Sequence, residues 1–209
     1  MLRAWLVDQL ERPTGWLGRA VLGPLMNVSH GPTNRAVCDL MGLSPGDDVL
    51  EVGVGGGDLV ARLLRVLIAG RVTGVDLSPD VLQALRARQR VAVLAERLRL
   101  VEADAAALPF DDATFDAVAM VHTLYFAEVP EAVAHELARV VRPGGRVVVA
   151  VATPVDAVRA GLDARRHTLL EEDELVALLD EAGLELVRTE IHREAGGRVV
   201  CVLARRPTS

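Results

Sequence analysis

Apolar residues fall along this chain in two rhythms that take turns. Val49-Leu50-Glu51-Val52, Arg71-Val-Thr-Gly-Val-Asp76, Leu98-Arg-Leu-Val-Glu-Ala103, Phe115-Asp-Ala-Val-Ala-Met-Val121 and Val147-Val-Val-Ala-Val151 are short runs rich in Val and Leu, which predict strands. Between them apolar positions return every three or four residues, as helices require. Leu59, Val60, Leu63, Leu64 and Leu67 do so after Asp58, with Gly70 as a C′ stop. The same spacing predicts a helix over Val81 to Val93 and another over Pro130 to Val141. Arg142-Pro-Gly-Gly-Arg146 reads as a helix stop and turn, and Thr153 to Thr168 keeps no steady period. A last helix covers Glu171 to Ala182 and ends at Gly183. Leu184 to Ile191 and Gly197 to Ala204 follow as strands, and their Arg-Glu-Ala-Gly-Gly connection suits a hairpin. Strands alternating with helices predict an α/β sheet.

Ahead of the first strand the pattern changes. Leu2, Trp5, Leu6 and Leu10 keep helical spacing, and Trp16, Leu17, Val21, Leu22 and Leu25 are interrupted by glycines and Pro24. This apolar appendage holds both tryptophans, which fits a lid, a substrate wall, a homodimer contact or simple packing on the domain. Asn27-Val-Ser-His-Gly-Pro-Thr-Asn34 contains both asparagines of the protein. Pro32 suits the first turn of a helix backed by Ala36, Val37, Leu40 and Met41 and stopped by Gly42. Asn27, His30 and Asn34 then stand before and inside that helix start as candidate substrate contacts, with ordinary capping and turn chemistry as the alternative. The chain divides into a helical lid or appendage over 1–42 and the main α/β domain over 43–209.

Chemistry gathers at the strand ends. The first strand closes with Glu51 and runs into Gly53, Gly55, Gly56 and Gly57, where missing Cβ atoms let a ligand approach the backbone. A nicotinamide dinucleotide fingerprint of the G-x-G-x-x-G type would need Gly or Ala at position 58, where Asp58 stands. Asp76 ends the second strand beside the first, where a carboxylate accepts both hydroxyls of a ribose, with Leu77 next to it. Ser78 and Pro79 have helix-start character, so loop chemistry is the bland alternative for Asp76. Asp104 and Ala105 follow the third strand, and His122-Thr-Leu-Tyr-Phe126 the fourth. A histidine placed there has a pKa suited to removing a proton from an acceptor; its alternative is to pack or bond locally. Tyr125 is pocket wall or core.

Glu51-x-Gly53-x-Gly55-x-Gly57, followed by Asp76, Asp104 before Leu-Pro-Phe110, and Leu-Ala-Arg-Val-Val-Arg-Pro-Gly-Gly-Arg146, resembles the class I S-adenosylmethionine-dependent methyltransferases. Within them it looks most like the small-molecule group that includes ubiquinone and menaquinone biosynthesis enzymes and type 11 methyltransferases. The resemblance spans roughly residues 43 to 204. It implies a doubly wound, seven-stranded, mostly parallel sheet in the order 3-2-1-4-5-7-6 with its last strand antiparallel and helices on both faces. It also implies S-adenosylmethionine as cofactor, S-adenosylhomocysteine as product, and in-line displacement onto a small-molecule acceptor. Glu51 would organise the glycine turn and the methionine amino end, with Gly53, Gly55 and Gly57 admitting the cofactor. Asp76 with Leu77 would hold the ribose and Asp104 with Ala105 the adenine; His122 would stand near the methyl as cofactor contact and general base. Tyr125 joins Asn27, His30 and Asn34 as a substrate-side residue. The Asn/Asp-Pro-Pro-Tyr/Phe signature of base and glutamine N-methyltransferases is replaced by His122-Thr-Leu-Tyr125.

Composition narrows the picture. At 209 residues one globular unit is expected, and no apolar run reaches the ~18 residues of a membrane span. The first eight residues meet charge too early for a secretory signal, which points to a cytoplasmic protein. A net charge of −6 lacks the electrostatic footprint of nonspecific nucleic-acid binding. Cys38 and Cys201 are widely separated and give no metal-ligand spacing, so no metal is expected. Two other readings keep a cofactor cleft: a regulatory module that binds without catalysis, and an NAD-dependent oxidoreductase, which Asp58 disfavours.

Overall fold

A computed structural model describes residues 23–208, with side chains from His30 onward. Seven strands form one sheet: β1 (Asp48–Val52), β2 (Arg71–Asp76), β3 (Leu98–Glu102), β4 (Phe115–Val121), β5 (Val141–Ala152), β6 (Glu185–Glu194) and β7 (Gly197–Arg205). Their order is β3-β2-β1-β4-β5-β7-β6. The first five pair in parallel, and β7 lies antiparallel between β5 and β6.

Successive side chains of a strand point to opposite faces, so apolar strands need cover on both sides. Leu50, Val52, Val118, Met120, Val147, Val149 and Val202 face α5 (Pro130–Val140) and α7 (Glu172–Glu181), against Val133, Leu137, Leu175 and Leu179. Val49, Val72, Ala117, Ala119, Val148, Ala150 and Cys201 face α1 (Gly23–Leu40), α2 (Asp58–Val66) and α3 (Pro79–Arg88), against Val37, Leu59, Val60, Leu63, Leu82 and Leu85. Among the described residues the other α-helices, α4 (Arg90–Leu94) and α6 (Pro154–Ala160), are short. No helix among the described residues is long and apolar enough to cross a membrane.

Several local expectations need correction. Pro32 does not begin a helix; it lies inside α1, which starts at Gly23. An interior proline removes one backbone rung, and packing offsets the loss, for Thr33, Asn34 and Val37 are buried against the domain. α1 packs on α2 and β6. The residues over 1–22, including Trp5 and Trp16, lie outside the described residues. Gly70 is not the stop of α2, which ends at Val66, where Arg97 Nη2 takes the Leu64 and Leu67 carbonyls. Gly70 instead passes close to the backbone of Asp47, where a Cβ would meet the Asp47 carbonyl carbon at 2.9 Å. The helix expected over 81–93 is two, α3 and α4, because the second segment buries nothing: Val91 is 83% exposed. Arg142-Pro-Gly-Gly-Arg146 is a bulged start of β5 and not a plain turn.

Arg139, inside that same sequence hallmark, has a further task. Its guanidinium donates to the carbonyls of Leu108 (3.0 Å) and Phe110 (2.7 Å) while pairing with Glu136 (2.6 Å) and Asp112 (2.8 Å). Glu136 in turn accepts from Leu108 N–H (2.6 Å), and Arg139 beside it holds the Glu136 carboxyl below its usual range. The loop after β3 is thereby tied to α5. Arg139→Ala is expected to cost about 1–3 kcal/mol, a Tm drop of roughly 2–10 °C by calorimetry. Arg139→Lys keeps the charge without the fork and should recover little; an unchanged Tm in either variant would refute the tie.

Candidate active site

The carboxyl ends of β1, β2, β3 and β4 open into one cleft of about 320 Å³. Open α/β sheets bind ligands at this edge, where strand order reverses between neighbours; here β1 lies between β2 and β4. Glu51, Gly53, Gly55, Gly57, Asp76, Leu77, Asp104, Ala105, His122, His30 and Asn34 all line it. Tyr125 stands behind His122 and does not line the cleft, and the Asn27 side chain lies outside the described residues.

The floor is the glycine turn. Gly53 has φ 80°, and a Cβ there would meet Thr123 Cγ2 at 2.6 Å, so only glycine fits between β1 and the loop after β4. Gly57, at φ 77°, is the N-cap of α2. Gly55 N–H donates to Asp76 Oδ2 (3.1 Å) and Ser78 N–H to Asp76 Oδ1 (2.9 Å), so the acid at the end of β2 is pinned by both neighbouring loops. Burial pushes the Asp76 carboxyl up, and those backbone donors pull it back. Asp58, the residue that spoils the dinucleotide fingerprint, accepts from Arg62 (2.7 Å) and from Asn34 Nδ2 (3.0 Å), fastening α1 to the turn. Asp104 is exposed at the far rim and accepts from Ala106 N–H (2.9 Å).

Glu51 is the anomaly of the floor. It is 3% exposed and accepts from the Val60 backbone N–H in the first turn of α2, yet its Oε2 is buried with no hydrogen-bond partner. Burial foremost, then the charges of Asp58 and Asp76, pushes its carboxyl well above the usual range. A buried unpaired carboxylate is costly unless a cation or donor arrives. The chain's own residues therefore fit a ligand with an ammonium at the glycine turn, which is what S-adenosylmethionine carries.

At the other end of the cleft His122 sits at φ 54°, rare for a non-glycine residue, with its backbone N–H on Ala150 O (2.9 Å). Its Nδ1 lies 2.9 Å from the Tyr125 hydroxyl, whose oxygen also accepts from Ala152 N–H. Its Nε2 is buried, 3.3 Å from Glu194 Oε2. Neither ring nitrogen is turned to open cleft, so the geometry does not favour His122 as a base acting directly on an acceptor. Burial holds its imidazole below the usual value, with Glu194 opposing. His30 stacks at 4.2 Å between ring centroids and places Nδ1 3.0 Å from the same Glu194 oxygen. Burial alone would push Glu194 up, but the two imidazoles, with help from the Thr33 hydroxyl, hold it well below the carboxylate range. Burial also pushes the Tyr125 phenol up.

Glu194 is the residue that sequence reading missed. It lies in the Arg-Glu-Ala-Gly-Gly stretch read as a hairpin turn, and β6 runs three residues longer than expected, to Glu194 itself. Its only local signal is an acid at a strand end. Arg159, with its side chain 73% exposed, pairs with Asp156 away from the cleft, and buried His167 holds Asp163.

Residues 50–149 match the family model described as a methyltransferase domain. Over 130 residues the chain is 34% identical to the ubiquinone/menaquinone biosynthesis C-methyltransferase UbiE of Roseobacter denitrificans, covering 62% of this chain and 52% of that protein. It thus spans about half the length of such curated relatives. Against methyltransferase GfsG of Streptomyces halstedii the identity is 32% over 197 residues, covering 90% of this chain and 69% of the relative. Among solved structures, magnesium protoporphyrin IX methyltransferase ChlM of Synechocystis PCC 6803, with bound SAH, shares the fold at a TM-score of 0.72 and 19% identity over 98% of this chain and 99% of that one. With the sheet order, the glycine turn and its acids in place, this likeness along nine-tenths of the sequence means that the chain belongs to the S-adenosylmethionine-dependent methyltransferases.

Proposed function

We propose that this protein transfers the methyl group of S-adenosylmethionine to a small-molecule acceptor. The observation that carries the reading is Glu51, a buried carboxylate with one unpartnered oxygen over a glycine turn. In this reading Glu51 takes the ammonium of the cofactor, and Gly53, Gly55 and Gly57 let its methionine end lie against the backbone. Asp76, with Leu77, takes the ribose hydroxyls, and Asp104 with Ala105 the adenine edge. Bound there, the cofactor supplies an activated sulfonium methyl, so the chain's own work is alignment and exclusion of water. Asn34 and His30 face the acceptor from α1, while Tyr125 acts through His122, whose ring it orients. Asn27 is carried as a substrate contact on sequence grounds alone. UbiE-like relatives support a small organic acceptor, the negative net charge argues against nucleic acid, and two free cysteines fit a cytoplasmic setting. A homodimer through residues 1–26 remains part of the proposal, and light scattering tests it.

Calorimetric titration with S-adenosylmethionine, S-adenosylhomocysteine and NAD tests the cofactor. Micromolar binding of the first two is expected, with Asp76→Ala weaker by about a hundredfold, since two hydrogen bonds to a charged acceptor go together. Asp76→Asn keeps the shape and should fall between. NAD binding alone would overturn the reading. Single-turnover release of S-adenosylhomocysteine with a panel of hydroxylated and quinol metabolites then separates an enzyme from a module that only binds.

A further inference from the structure

Three ligand-bearing side chains from distant parts of the chain converge where the cleft meets α1. His30 comes from α1, His122 follows β4 and Glu194 ends β6, with 164 residues separating the first from the last. One donor atom from each, His30 Nδ1, His122 Nε2 and a Glu194 carboxylate oxygen, lies within 4.8 Å of the others. The side chains are 28%, 12% and 4% exposed. Among the described residues no other such group of three or more His, Cys, Asp or Glu side chains occurs.

Hydrogen bonding alone accounts for this cluster poorly. Both imidazoles crowd one oxygen, Oε2, the His122 Nε2 contact at 3.3 Å falls short of good hydrogen-bond geometry, and Glu194 Oε1 is buried without a well-formed bond even though the Thr33 hydroxyl stands beside the carboxylate. Buried polar atoms left in that state call for an explanation, an ion among them. Imidazole nitrogens and carboxylate oxygens bind such ions at about 2.0–2.2 Å, which puts neighbouring donors on one ion roughly 3.3–3.6 Å apart at the tetrahedral angle and about 2.8–3.1 Å apart at a right angle. Glu194 Oε2 is 3.0 Å from His30 Nδ1 and 3.3 Å from His122 Nε2. Outer support is present as well: His122 Nδ1 meets the Tyr125 hydroxyl, itself fixed by Ala152 N–H, the usual way a ligand imidazole is oriented. His122 also holds a φ of 54°, strain of the kind that persists where the surrounding structure fixes a residue.

We propose that His30, His122 and Glu194 bind a divalent first-row transition-metal ion. Two imidazoles and one carboxylate suit zinc or iron rather than magnesium or calcium, which demand oxygen donors. His30 and His122 both line the cleft, so the ion would sit at its wall, within reach of an acceptor held there. Resting on the methyltransferase reading for the occupant alone, the ion takes an anionic oxygen of the acceptor, such as an enolate or phenolate. The acceptor class is then an oxygen chelator.

The test uses the full chain, stripped with chelator and titrated with Co²⁺ alone by visible absorption and with Zn²⁺ alone by calorimetry. One equivalent per chain is expected, with ligand-field bands of a low-symmetry Co²⁺ site and a Zn²⁺-dependent rise in Tm. Glu194→Gln and His122→Gln should each weaken binding more than the ~10–100-fold of an outer-sphere change, and Tyr125→Phe should fall within that range. S-adenosylhomocysteine titration of each variant reports whether the fold and cofactor cleft persist. Wild-type protein that takes up neither ion, or binding unchanged in the Glu194→Gln/His122→Gln double variant, overturns the site. Failure of the cofactor reading would show instead as loss of S-adenosylhomocysteine binding by the wild type, with the Co²⁺ result intact.

Discussion

Glu51→Gln is expected to raise the Tm of the cofactor-free protein at neutral pH while weakening S-adenosylmethionine binding by roughly ten- to hundredfold. The two effects have one cause. In the folded chain Glu51 is buried, keeps one oxygen unpartnered and faces the like charges of Asp58 and Asp76, so its carboxyl is raised well above the ordinary range. Between the ordinary and the raised value the folded state holds the proton that the unfolded chain has lost. Stability therefore falls as pH rises through that window and stays reduced above it. Glutamine carries no charge to desolvate, keeps an acceptor for Val60 N–H and removes that loss. A relief of about 1–2 kcal/mol corresponds to a Tm gain of roughly 2–8 °C. Below the ordinary carboxylate range both proteins carry a neutral group there, and the gain should vanish. Binding behaves oppositely: an ammonium must meet the ionised acid, so wild-type affinity should decline as pH falls through the raised value, and the variant's affinity should be flat. Calorimetry at neutral and mildly acidic pH reads both. A variant that is less stable at neutral pH and still binds tightly would show that Glu51 is a structural acid and not the cation site.

What was legible in the sequence was what adjacent residues determine. Alternation of strand and helix periods fixes a sheet covered on both faces, and the glycine turn with Glu51, Asp76 and Asp104 lies within single βα units, so their convergence follows from the topology. Pro32 was misread because first-turn preference is a local rule, whereas α1 continues through it on the strength of a buried face that includes Thr33 and Val37. Asp58 was legible as a departure from a dinucleotide fingerprint, but its bond to Asn34 crosses from one element to another. Glu194 was out of reach for the same reason in stronger form. Its partners His30 and His122 come from the helix before β1 and from the loop after β4, and no spacing rule connects a hairpin to a helix 164 residues away. The cofactor side of the cleft is thus written locally and the acceptor side globally, which is why the family was readable and the acceptor was not.

Gly53→Ala should be the most damaging single methyl in the site. Gly53 sits at φ 80°, where an L side chain costs about 1–2 kcal/mol. A Cβ there would also lie 2.6 Å from Thr123 Cγ2 and 2.8 Å from Thr123 Cβ, inside contact distance. Thr123 has little freedom to yield, because its hydroxyl donates to Val121 O (3.1 Å) at the end of β4, directly beside His122. Overpacking of this kind adds about 1–3 kcal/mol, so the sum is about 2–5 kcal/mol and a Tm drop of roughly 5–15 °C. Relief must come from moving either the glycine turn or the loop that carries His122, and both line the cleft. S-adenosylhomocysteine binding should consequently fall at least about tenfold even where the variant is fully folded. A double-mutant cycle isolates the cause. Thr123→Ala alone should cost no more than its hydroxyl bond, about 1 kcal/mol, whereas Gly53→Ala/Thr123→Ala should recover part of the loss, since the Cγ2 and hydroxyl clashes go and the Cβ contact and the backbone strain stay. Strict additivity of the two substitutions would mean that backbone conformation alone requires glycine at 53. A coupling near the size of the overpacking cost would mean that β1 and the loop after β4 are packed against each other at this point, so that the cofactor end and the acceptor end of the cleft share one rigid floor.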